Sequence, residues 1–337
     1  MENIRDIFEE NIKMIGFIDR ALIFTRQCRY DKALYMLSQT GDGINVVCDA
    51  IVRNPEYFGK VSTDSISEML KGILDARRKK DYVLLADLYD LQVMSFITNV
   101  QQIILEKEDF LDYTPQIYTA HIEKIKDKLA QGLEELQKHE ITADIPELQT
   151  VQELLREDEF MRLKVNLLAL LDHPLEPEFL LDKGYSVEFT SCGMLTLQVP
   201  FGEEDTIYLH SNSNIIKESF LLAQSWTGKH ASTFIVYGFG MGYHIAELAL
   251  LKPDAQIIVY ESDPNVLKLY AAFSDGALLD NDHIQIVLDP EKKLIERRLK
   301  ALAKDEEACV HYPSMRRSPS GPMLSLLVPW SGLIEEL

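Results

Sequence analysis

The chain has little that would staple it covalently or hold it in a membrane. Its four cysteines, Cys28, Cys48, Cys192 and Cys309, stand singly with no Cys-x-x-Cys pair, which excludes a zinc-finger framework and a disulfide scaffold. As small buried hydrophobes they suit a reducing compartment. No stretch reaches the roughly 18 uninterrupted apolar residues of a spanning helix. The start, Met-Glu-Asn-Ile-Arg-Asp, has neither the basic flank nor the apolar run of a signal peptide. A cytoplasmic protein with no membrane span is therefore expected. Positive charge is scarce as well: 34 Lys and Arg stand against 54 Asp and Glu, a net charge of −20. Phosphate binding on nucleic acid needs clustered cations to release counterions, so no nucleic-acid partner is expected.

What is present is a globular composition, 46% hydrophobic and 26% charged over 337 residues. That is long enough for two or three domains of about 100–200 residues. Up to residue 172 the apolar period is helical. Tyr118, Ile122, Ile125, Leu129, Leu133 and Leu136 recur at steps of four and three and lay one stripe on a helix. A second helix is expected from Asp81 to Glu106 with Leu84, Leu88, Leu91, Phe96, Val100 and Ile103 buried. Breaks at Asn54-Pro55, Tyr113-Thr-Pro115 and Asp144-Ile-Pro146 divide residues 1–172 into an all-α helical bundle. Its stripes serve its own core or, less simply, a partner.

His173-Pro174 opens a linker, and residues 173–231 change period. Tyr185–Phe189, Leu195–Val199 and Thr206–Leu209 alternate and are separated by glycine turns, which reads as a small β-meander followed by a helix capped by Ser211–Asn214. Residues 232–315 then read as a Rossmann-like α/β nucleotide-binding unit. Thr233–Tyr237 is an apolar run of the buried parallel type, and Gly238, Gly240 and Gly242 follow at once before a helix that starts with Tyr243 and His244. Glycines permit positive φ and close approach of a ligand to the backbone, and the helix start offers free N–H groups. Gln256–Tyr260 ends in Glu261, placed to accept from both hydroxyls of a ribose. His283–Leu288 ends in Asp289, where an adenine edge commonly lies, and Ala308–Tyr312 forms the fourth strand. The candidate cofactor-binding residues are thus Gly238, Gly240, Gly242, Tyr243, His244, Glu261 and Asp289. The spacing is Gly-x-Gly-x-Gly with Tyr243 where a dinucleotide fingerprint has its last small residue, which favours an S-adenosylmethionine methyltransferase-like pocket over NAD. The expected ligand is S-adenosylmethionine or a nucleotide, and no metal site is read from the sequence.

Other candidates are weaker. His210 closes the third meander strand and is read as structural. His311-Tyr312-Pro313-Ser314 occupies the slot where amino-methyltransferases carry an Asn/Asp-Pro-Pro-aromatic motif, but without its amide or carboxylate. Arg316 and Arg317 could meet a phosphate or carboxylate, though solvated arginines are the simpler reading. No catalytic residue is assigned.

Tyr208–Ser211, Val236–His244, Val259–Pro264 and Val310–Met315 together resemble the motility accessory factor family. The likeness covers about residues 180–315. It implies a bacterial protein that takes part in glycosylating flagellin with nonulosonic sugars, with flagellin as a partner of the helical region. It also implies a downstream domain similar to 6-hydroxymethylpterin pyrophosphokinase. Residues 316–337 match neither that domain nor a Rossmann helix, and are read as an irregular tail left by truncation or a frame change, so that the sugar-transfer centre would be missing. Two other readings stay open: a free-standing S-adenosylmethionine-dependent methyltransferase, and a non-catalytic interaction scaffold.

Overall fold

A computed structural model describes residues 4–317 apart from 60, 112, 143–156, 173–182, 203–204 and 228–230. The expected break at Asp144-Ile-Pro146, the His173-Pro174 linker and most of the tail lie outside the described residues. The fold is mixed α/β: helices come first, and a four-stranded parallel sheet follows.

By internal contacts the chain forms two compact units. One comprises residues 1–110 with 188–196 and 211–220; the other comprises 111–187, 197–210 and 221–337. The helical unit holds α1 (Ile4–Arg26), α2 (Tyr30–Ser38), α3 (Gly41–Arg53), α4 (Thr63–Lys79), α5 (Tyr82–Leu88) and α6 (Met94–Leu105). Its centre is α1, which α2, α3, α5 and α6 contact and whose Met14, Ile15, Ile18 and Leu22 are buried. Each such side chain contributes about 1.5–3 kcal/mol when taken fully out of water. Local chemistry sets the ends: the Asp81 carboxylate accepts from Leu84 N at the start of α5, and Lys80 closes α4 in the left-handed region at φ 56°.

Between α5 and α6 the chain makes a π turn, Tyr89–Val93, and this corrects the expected burial. Val100 and Ile103 are buried as expected, but Leu84 and Leu91 are 43% and 71% exposed, and Leu85, Tyr89, Val93, Ile97 and Ile104 complete the buried line. Steps of four overshoot a 3.6-residue turn, and the wider π turn absorbs the excess. By length and composition the continuous run Tyr82–Leu105 is also the one helix among the described residues apolar enough to cross a membrane. A core helix of a soluble protein passes the same test.

The second unit takes in the helix that precedes the sheet. Helix α7 (Pro115–Thr142) begins at the expected Pro115, and its stripe from Tyr118 to Leu136 is buried throughout. The stripe faces the sheet unit, against β6 (Ile284–Leu288) and α11 (Pro264–Phe273), rather than the preceding helices. A strand face of Ile284, Ile286 and Leu288 needs a cover, and α7 supplies it. His121 Nδ1 lies 2.9 Å from Ala271 O, Lys128 Nζ donates to Asn281 O at 2.7 Å, and Lys124 pairs with Asp280. α8 (Glu157–Asp172) packs on α7 and also touches α11.

β1 (Ser186–Phe189), β2 (Leu195–Phe201) and β3 (Asp205–Tyr208) form the three-stranded sheet expected, with β2 and β3 antiparallel. Helix α9 (Ile215–Trp226) follows. The parallel sheet contains β4 (Thr233–Tyr237), β5 (Gln256–Glu261), β6 and β7 (Glu306–Val310) in the order β6-β5-β4-β7. Helices α10 (Tyr243–Leu251), α11, α12 (Lys293–Lys300) and the short α13 (Tyr312–Arg316) intervene or follow. β7 lies two residues earlier than expected, so His311 leaves the strand and becomes the N-cap residue of α13.

Two helix glycines separate packing from propensity. A Cβ on Gly132 of α7 would lie 2.5 Å from the Ile286 backbone oxygen, whereas one on Gly72 of α4 would meet only Leu88 methyls at 3.5 Å or more. In urea denaturation, Gly132→Ala should destabilise by about 1–3 kcal/mol through overpacking. Gly72→Ala should stabilise by about 0.5–1 kcal/mol through helix propensity.

Candidate functional site

Strand order β6-β5-β4-β7 places a topological switch between β4 and β7, since the connection from β4 proceeds one way and β7 lies on the other side. In open parallel sheets ligands bind at the C-terminal ends of the strands beside such a switch. The glycine turn leaves β4 at that point, and His311 leaves β7 there.

All three turn glycines have positive φ: 96° at Gly238, 55° at Gly240 and 76° at Gly242. All three also make room for neighbouring side chains, Gly242 for that of Leu278. A Cβ on Gly238 would lie 2.6 Å from Ser314 Oγ, and one on Gly240 would lie 2.5 Å from His210 Nε2. The close approach expected at these glycines is therefore made by the protein itself.

Glu261 ends β5 beside the turn, as the spacing predicts, but its carboxylate is only 2% exposed. One oxygen accepts from Phe239 N at 2.8 Å; the other accepts from Ser262 N at 2.8 Å and Asp263 N at 2.9 Å. Burial pushes its pKa up, and the Phe239 and Asp263 amides pull it back. In this conformation Glu261 ties two loops together instead of facing a ribose. Asp289 is likewise 3% exposed and accepts from Ile295 N at 2.9 Å, capping α12. The structure brings Glu261 to the glycine turn and gives Asp289 a separate structural task.

Histidines provide what the spacing alone does not reveal. His210, His244 and His311 converge at the switch, with exposures of 2%, 0% and 0% and ligand atoms all within 4.8 Å of one another. His244 and His311 stack with ring centres 4.4 Å apart, and His210 lies 4.9 Å from His311. Tyr243, half-buried, sets its ring edge-on to His210 at 5.2 Å. Three bonds hold the trio. His244 Nε2 is 3.0 Å from Gly238 O, His210 Nε2 accepts from Met241 N at 2.9 Å, and His311 Nδ1 is 2.8 Å from Ser314 Oγ. Burial, then the charge of His210, holds His244 down to about 3. Burial, then His244 and His210, pushes His311 well below the ordinary imidazole range, with the Leu209 carbonyl opposing weakly. Both rings are neutral at pH 7. The signal available in the sequence was positional: each histidine sits within two residues of a strand end or helix start around one glycine turn.

Arg317 meets a carboxylate as its charge allows, bonding Asp263 Oδ2 at 2.7 Å, an oxygen that also accepts from Tyr185 Oη at 2.7 Å. Arg316 lies over the Phe201 ring at 5.7 Å.

Asp289 gives this edge a pH signature. Burial raises its pKa from 3.8 to about 6 against the bonds it accepts from the Ile295, Leu294 and Lys293 amides. Between pH 3.8 and about 6 the folded chain holds a proton that the unfolded chain has released, so stability falls as pH rises through that window. Asp289→Asn keeps an acceptor for the cap and removes the titration. Urea midpoints followed across this window should show a flatter pH dependence than the unsubstituted chain.

Against known proteins, no family model matches the chain, and no curated protein or solved structure matches it.

Proposed function

We propose that residues 232–315 form a Rossmann-like, methyltransferase-like unit that binds a nucleotide-type ligand. In this reading it works within a motility accessory factor-like protein that takes part in flagellin glycosylation. The observation that carries the reading is the glycine turn at the C-terminal end of β4, directly at the switch between β4 and β7. That is where parallel sheets of this order bind nucleotides. Because Glu261 and Asp289 are engaged with backbone amides, recognition falls to the rim above them. Half-buried Tyr243 follows β4, half-buried Ser262 follows β5, and Tyr312, 57% exposed, follows β7. An exposed aromatic ring at that edge suits stacking on a base.

The same bonds favour a second reading, a non-catalytic scaffold. A turn filled by His210, His311 and Ser314, with its acid engaged by backbone donors, is also a sound packing device.

Calorimetry of the chain with a cytidine-nucleotide sugar, S-adenosylmethionine, S-adenosylhomocysteine and ATP separates the two. The proposal expects one of them, the nucleotide sugar foremost, to bind with a Kd below about 1 mM. Tyr312→Ala, a surface change, should weaken that binding about tenfold by removing base stacking. Gly240→Val should abolish it by displacing His210 and opposing positive φ. No heat from any of the four would leave the scaffold reading standing.

A further inference from the structure

We propose that His210, His244 and His311 bind one divalent transition-metal ion of the zinc class at the C-terminal ends of β4 and β7. Three imidazoles from three separate chain segments, all buried, place their ligand atoms within 4.8 Å of one another. A tetrahedral ion with bonds of about 2.0–2.1 Å needs its nitrogens about 3.3 Å apart. Binding therefore requires the rings to turn until nitrogens now up to 4.8 Å apart approach to about 3.3 Å.

Hydrogen bonding occupies one nitrogen of each of two rings and leaves the other for this task. His244 Nε2 faces the Gly238 carbonyl at 3.0 Å, so it carries the proton and donates. Its Nδ1 keeps a lone pair that is buried with no hydrogen-bond partner. His311 engages Ser314 Oγ through Nδ1, and its Nε2 is likewise buried without one. A ring that donates one N–H to a carbonyl or hydroxyl and turns its other nitrogen inward is the arrangement of a metal-ligating histidine. Unpartnered lone pairs in a dry core are costly, and a shared cation satisfies both at once. The donors are all nitrogen, which suits zinc, cobalt, nickel or copper and disfavours calcium and magnesium, whose sites are built from oxygen. Three histidines leave a fourth position for water or a ligand oxygen. Two local rearrangements accompany binding. One ring of the His244–His311 stack turns, and the ion competes with the Met241 amide for His210.

This site does not depend on the nucleotide reading, and its test uses no nucleotide. Tag-free full chain is titrated with Co²⁺ and followed by visible absorption, with Zn²⁺ as competitor. Saturation at one Co²⁺ per chain, displaced by Zn²⁺, is expected. Zn²⁺ should also raise the thermal midpoint by about 2–4 °C. His244→Ala and His311→Ala should each weaken binding at least tenfold, while His283→Ala, exposed and outside the trio, should bind as the parent does. Pulsed electron paramagnetic resonance of the Cu²⁺-loaded, unsubstituted chain needs no variant and should show coordinated imidazole nitrogen. Absence of stoichiometric Co²⁺ uptake, binding retained in the doubly substituted His244→Ala/His311→Ala chain, or a Cu²⁺ spectrum without imidazole modulation would each overturn the proposal.

Discussion

One buried carboxylate holds the working edge of the sheet in place. Glu261 accepts from Phe239 N in the loop after β4 and from Ser262 N and Asp263 N in the loop after β5. Bonds to a charged acceptor are stronger than neutral ones, and a carboxylate in a dry core is tolerable only when its oxygens are so engaged. With the Phe239 amide fixed, Gly238 and Gly240 hold their positive φ, and Gly238 O is aimed at His244. The Met241 amide is then presented to His210. Asp263, set by the same carboxylate, caps α11 and receives Arg317 and Tyr185. The edge is a chain of dependences that starts from Glu261.

The parts of the fold legible in the sequence were those in which periodicity is local. The α7 stripe, the meander strands and β4, β5 and β6 each follow from side chains a few positions apart. The partner of α7 was not legible, because a stripe reports that a face is buried and says nothing of what buries it. The first half of the α5–α6 line was misphased, though Val100 and Ile103 were not, because a π turn leaves no mark in the composition. Glu261 and Asp289 lie at strand ends as the spacing indicates, and both carboxylates accept from backbone amides that the sequence did not reveal. A carboxylate at a strand tip serves a ligand or a backbone equally well, and only three-dimensional neighbours decide which.

The histidine trio shows the other limit of sequence reading. His210, His244 and His311 are tens of residues apart, and only the return of β7 beside β4 brings the last of them to the turn. Each is individually unremarkable at a strand or helix end. Together they put three polarisable rings, those of His244 and His311 neutral, where a parallel sheet presents its ligands, beside a helix N-terminus with its partial positive charge. The neutrality matters, since a charged imidazolium there would be both desolvated and repelled by its neighbours.

The close seating of Gly132 against the Ile286 carbonyl bears on how this chain can be divided. A strand–loop–helix unit is usually thought portable, to be excised or fused at the first strand. Here one layer of it is written into the chain well before β1, since α7 roofs β6 and α11. A piece cut to begin at the meander would leave the Ile284 and Ile286 face of the sheet open to water, an apolar strand surface of the kind that recruits other chains. Any transplantable version must therefore carry α7, and its order along the chain is helix first, sheet second.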